Sequence, residues 1–199
     1  MIELRALERY ARRATDKHAA ATCELCSVAI DTEHRHVVDI VDRKLKCTCR
    51  ACALVFDHDE GRLRAVPTDV RLAAQPFDAA QRAALKVPVG LAFFLKSSAL
   101  GRWFAIFPSP AGATEAELDD ASARVLDEST FARTAREDVE AVLVRTHKDG
   151  LCECFITPVD ICYECVASLR MHWRGIAGGD EAHRAIDAII ERLRERGQS

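Results

Sequence analysis

Apolar residues recur along the chain with two different periods. Ile2, Leu4, Leu7, Tyr10, Ala11 and Ala14 fall at helical spacing with Arg and Glu between them, which predicts a helix over 2–14. The run HVVDIV at 36–41 reads as a strand, Asp42-Arg43-Lys44 as a turn, and Leu45 to Cys47 as the returning strand. A short helix follows from Arg50 to Phe56, ended by the polar run DHDEGR, and Leu63 to Val66 reads as a further strand.

The second half alternates hairpins and helices. Phe77 to Leu85 predicts a helix with Asp78 near its start. Val89–Leu95 and Trp103–Phe107 are apolar, aromatic-rich runs flanking KSSALGR, a hairpin by composition. PSPAG breaks the chain, and Thr114 with Glu117 three residues on gives the T-x-x-E pattern that opens a helix to about residue 127. Val139–Arg145 and Cys152–Thr157 flank HKDG as a second hairpin. Val159–Trp173 is a helix, GIAGG a joint, and Glu181–Arg194 an amphipathic terminal helix. The expected fold class is α+β: a hairpin-plus-helix module in residues 1–60 joined to an α+β body in 61–199, with two hairpins and carboxy-terminal helices.

Composition narrows the function. With 199 residues the chain can bury a proper core, and a net charge of −3 gives no global basic field for nucleic acid or an anionic membrane. The longest apolar run, VPVGLAFFL, is too short to span a bilayer, and MIELRALERYARR lacks the apolar core of a secretory signal. The expected location is therefore the cytoplasm, where nine cysteines serve better as ligands, buried thiols or reactive groups than as disulfides.

Five of those thiols crowd into thirty residues. CELC at 23–26 and CRAC at 49–52 make C-x2-C-x22-C-x2-C, the spacing with which two tight turns aim four thiolates at one tetrahedral ion. The candidate ligands are Cys23, Cys26, Cys49 and Cys52. Cys47 is an alternative ligand, since a strand would turn it to the same side as Cys49. Zinc is the expected metal. Iron in a rubredoxin-like tetrathiolate is the alternative, disfavoured because CELC lacks the Pro and Gly common in rubredoxin knuckles. A second set, Cys152, Cys154, Cys162 and Cys165, would form another site if the helix from Val159 packed back on its hairpin; the competing reading is an ordinary buried stripe.

The order of knuckle, hairpin and second knuckle at a helix start resembles a treble-clef zinc finger over about residues 20–57. His34 and His36 lie in its insert, where HNH nucleases carry a catalytic histidine, but the downstream Asn and His of such nucleases are missing. The competing readings are a pair of polar residues at a strand start and alternative zinc ligation by one of the two histidines. CELC, EHRHVVDIVDRKLKCTCRAC, VPVGLAFF, FPSPAGATE, DVEAVLV, PVDICYECV and WRGIAGG together resemble an uncharacterised actinobacterial family encoded beside [NiFe]-hydrogenase genes. That resemblance implies an accessory role in hydrogenase maturation or electron transfer, with a hydrogenase subunit or maturation factor as partner. Its cysteine pattern maps onto Cys23, Cys26, Cys47, Cys49, Cys52 and Cys162, and does not include Cys152, Cys154 or Cys165. The expected function is a non-catalytic, metal-binding scaffold. Electron transfer through iron and an HNH-like nuclease are its alternatives.

Overall fold

In the computed structural model of the protein, residues 21–58, 61–74, 76–87, 90–109, 112–147, 152–172 and 179–197 are described. The helix expected over 2–14 and the GIAGG joint fall outside them, apart from Gly179. Two antiparallel sheets organise the rest. The smaller has the order β2-β1-β3, from β1 (Arg35–Asp39), β2 (Lys44–Thr48) and β3 (Leu63–Ala65). Helix α1 (Arg50–Val55) follows β2 directly. Strand β3 lies beyond the boundary expected at residue 60, yet it pairs with β1, Val37 facing Ala65.

The larger sheet has six strands in the order β4-β9-β8-β5-β6-β7. Its members are β4 (Arg71–Ala74), β5 (Leu91–Ser97), β6 (Arg102–Ser109), β7 (Gly112–Glu117), β8 (Glu140–Thr146) and β9 (Cys152–Pro158). Helices α2 (Ala79–Leu85) and α3 (Asp120–Glu128) cover one face; α4 (Val159–His172) and α5 (Gly179–Gly197) cover the other. Both faces are dry, so β5, β8 and β9 are buried almost without interruption instead of alternating with water. Phe93, Leu143 and Phe155 point to α4 and α5, whose Leu169, Ile186 and Leu193 meet them. Phe94, Val142 and Ile156 point the other way, to Phe77, Leu85 and Leu126. The fold is α+β, as the hydrophobic pattern predicts.

One expectation fails here. Thr114 and Glu117 do not open a helix: residues 112–117 form edge strand β7 against β6, with Thr114 facing Phe107. The helix starts three residues later, where the Asp119 side chain accepts the Ser122 N–H at 2.8 Å. A capping box needs a free amide run behind it, and here the β6 ladder has already taken those amides. The box that does form is Asp78–Gln81 at the start of α2, with both reciprocal hydrogen bonds present. Strand β4 was not signalled by the pattern; four residues leave too short an alternation.

The small sheet docks on the body through an apolar cluster of Val38, Val66, Val139 and Val159. Charged pairs surround it. Arg64 meets buried Asp138 at 2.9 Å, and Arg43 makes a two-pronged pair with Glu115 of β7, both contacts 2.7 Å. On the far side, Glu153 of β9 accepts two hydrogen bonds from Arg194 of α5 and one from His147.

The Arg194 hydrogen bonds, against the opposing effect of burial and with help from His147, hold Glu153 well below its ordinary 4.5, at about 2. A depressed carboxylate stabilises the fold above its unfolded value and stops doing so as pH falls through the folded one. Urea denaturation should therefore show wild type losing stability between pH 4.5 and pH 2, with Glu153→Gln less stable at pH 7 and flatter over that window. Equal slopes in the two proteins would contradict the role of this pair.

Candidate metal centre

The first knuckle is a tight hairpin. Thr22 and Ala29 bridge it, Cys23 N–H donates to Val28 O at 2.8 Å, and Ser27 N–H donates to Cys23 O at 2.8 Å. Ser27 takes the left-handed conformation, φ 63°, which closes the turn just after Cys26. Glu24 fastens this hairpin to β2. Its own N–H donates to Cys47 O at 2.9 Å, and its carboxylate accepts the Cys47 N–H at 2.7 Å.

The second knuckle is a helix start. Cys49 is the N-cap of α1, and its sulfur accepts the Cys52 N–H at 3.4 Å. An amide aimed at a sulfur from a helix terminus suits an anionic thiolate. Cys49 and Cys52 thus stand on the first turn with both sulfurs facing the first knuckle.

The structure brings Cys23, Cys26, Cys49 and Cys52 together, one donor atom from each lying within 4.8 Å of every other. Cys26 and Cys49 sulfurs are 3.7 Å apart. Four sulfurs at 2.3 Å from a tetrahedral ion would be about 3.8 Å apart. The spacing is far too long for a disulfide, whose sulfurs are about 2.0 Å apart. Cys23 is buried and Cys26 exposed, so the site lies at the surface of the module.

Such crowding separates the four thiols electrostatically. Burial pushes Cys23 up, but the N–H groups of Cys49, Leu25 and Cys26 outweigh it and bring it down to about 6. Cys52 goes the other way, to about 12, because it hydrogen-bonds the sulfurs of Cys26 and Cys49 and is desolvated beside them. A bound cation is what would let all four be thiolates at once.

Cys47 does not join this group. It faces His36 across the β1–β2 ladder and groups with His34 and His36 instead. A strand continued to residue 49 would keep Cys47 and Cys49 on one side, but the chain leaves β2 at Thr48 and turns into α1. Nor does the structure bring the second cysteine set together. Cys152 and Cys154, their sulfurs 3.6 Å apart, project from β9 among Phe77, Leu85 and Leu126. Cys162 and Cys165 lie on α4 with Leu169 and Ile186, on the opposite face of the large sheet. A packed sheet separates the two pairs. Burial raises Cys162 well above the ordinary thiol value and carries Cys165 to about 12, as expected of thiols that serve as small apolar groups.

The centre defines a class: an α+β protein with a knuckle-hairpin-knuckle module whose four cysteines could hold a metal ion. The chain belongs to a family of unknown function, DUF5947, whose model matches residues 22–197. No curated protein and no solved structure matches it. Among the described residues no helix is long and apolar enough to cross a membrane.

Titration of native full-length chain with an aromatic disulfide reagent should leave Cys152, Cys154, Cys162 and Cys165 unmodified until denaturant is added, because each is at most 2% exposed. Peptide mapping that finds these four labelled in the folded protein would contradict this packing.

Proposed function

We propose that this protein is a metal-binding accessory or scaffold protein in which a structural zinc ion on Cys23, Cys26, Cys49 and Cys52 orders the amino-terminal module as a docking surface for a partner protein. The convergence of four sulfurs from two knuckles is the observation that carries this reading. A closed tetrathiolate leaves no open coordination position, which suits structure and not catalysis.

The module has reason to need an ion. Among the described residues of the module the buried apolar ones are few: Cys23, Val37, Val38, Ala53, Ala65 and Val66. A core that small is marginal, and structural zinc contributes on the order of 10 kcal/mol to the folding of comparable fingers. Val28, Val41, Leu54 and Val55 meanwhile stand more than half exposed on the module. Apolar side chains held outward by an ion-tied frame support contact with another protein. The resemblance to a family encoded beside [NiFe]-hydrogenase genes directs the search to hydrogenase subunits and their assembly factors.

Elemental analysis of untagged protein tests this reading. Zinc should be present and the protein colourless, and Cys23→Ser should hold one equivalent less than wild type. A coloured protein with stoichiometric iron would replace zinc by an electron-transfer centre. Unchanged metal content in Cys23→Ser would overturn the ligand assignment.

A further inference from the structure

The three residues left beside the four-sulfur group have a geometry of their own. His34 and His36 alternate along one edge of the hairpin, so both project to the same side. Their ring centres are 4.7 Å apart. The β1–β2 register sets Cys47 directly opposite His36. One donor atom from each of the three lies within 4.8 Å of the other two.

Each imidazole is held at its other nitrogen. His34 Nδ1 lies 2.9 Å from the Asp31 carbonyl oxygen, and a carbonyl can only accept, so this nitrogen carries the proton. His36 Nδ1 donates to Asp160 Oδ2 at 3.0 Å. Asp160 is steadied in turn, its other oxygen accepting the Ile161 N–H at 2.9 Å in the first turn of α4. With Nδ1 engaged in both rings, Nε2 is the nitrogen left to ligate. That of His34 is buried and has no hydrogen-bond partner. A carbonyl or carboxylate on Nδ1 with Nε2 free is how proteins prepare histidine to bind a metal. A buried polar nitrogen with no partner is otherwise a cost to the fold.

We infer that His34, His36 and Cys47 form a second metal site, for a divalent ion of the zinc class, whose fourth coordination position is open. Two imidazoles and a thiolate are borderline donors suited to such an ion. Three protein ligands leave one position for water or an incoming group, unlike the closed four-sulfur set. Both histidines and Asp160 line a cleft of about 650 Å³, with Glu164, Arg192 and Arg196 on its walls. A small molecule in that cleft can approach the histidine side of the site. The site spans the junction, two ligands on β1 and its approach, one on β2, and the supporting carboxylate on α4.

Cobalt(II) titration of the full-length chain, followed by absorption and elemental analysis, tests the site apart from the four-cysteine one. Wild type should bind two equivalents. His34→Gln, His36→Gln and Cys47→Ser should each bind one and keep the strong sulfur-to-cobalt absorption of a tetrathiolate. Asp160→Asn, which leaves every ligand in place, should weaken only the second equivalent, by about 10–100-fold. Cys23→Ser should lose the other equivalent, so a failure there speaks against the four-sulfur site alone. One equivalent in wild type, unchanged in His36→Gln and Cys47→Ser, would overturn the inference. So would Asp160→Asn binding both ions as wild type does.

Discussion

The pairing of β1 with β2, Arg35 facing Thr48 through Asp39 facing Lys44, is the constraint on which the amino-terminal quarter depends. Side chains alternate along a strand, so a slip of one residue would send His36 and Cys47 to opposite faces. It would also displace the start of α1, and with it the Cys49 sulfur, from the first knuckle. Several contacts hold the register. Asp39 accepts the N–H groups of Val41 and Asp42 and so shapes the four-residue turn, while Arg62 lies 2.9 Å from the same carboxylate. Arg62, helped by those amides against burial, keeps Asp39 ionised, at about 2. Val37 and Val38 are buried, and β3 closes the other edge of β1. Glu24 then ties the first knuckle to Cys47, so the strand pairing positions both knuckles at once.

The module is bound to the body by charged and polar side chains at the junction. His36 reaches Asp160 on α4, Arg43 reaches Glu115 on β7, and Arg64 reaches Asp138 just before β8. Asp138 is buried and left-handed, φ 67°, and accepts from Ser98 as well as Arg64. The edge strand expected to be a helix therefore has a purpose in the assembly: as β7 it holds Glu115 where Arg43 can grip it. Arg43 also lies over the Phe104 ring, 4.5 Å from its centre, so the contact couples charge to an aromatic face.

Elements whose pattern is local were legible in the sequence. The two hairpins, the short helix from Arg50 and the helices from Val159 and near Glu181 all carry their own period or turn residues. So did the first cysteine group, because two C-x2-C units state their geometry without help from the rest of the chain. What could not be read depended on partners distant in sequence. Strand β7 exists because β6 offers it a ladder, and Thr114 with Glu117 mimics a cap only in isolation. Cys152 and Cys154 share a strand face and Cys162 and Cys165 share a helix face, but which side of the sheet the helix would choose is a question of packing. The three-residue group is half visible in the sequence: EHRH and Cys47 stand out there, yet only the register makes Cys47 the neighbour of His36, and only α4 supplies Asp160.

Four sulfurs holding one ion underlie the proposed docking surface. Zinc-edge X-ray absorption on the full-length His34→Gln, His36→Gln double variant, which leaves the four-cysteine group alone, measures that coordination directly. Four sulfur neighbours at about 2.3 Å with no nitrogen or oxygen in the shell is the predicted result. A shell containing nitrogen or oxygen, or an ion with fewer than four sulfurs, would contradict it.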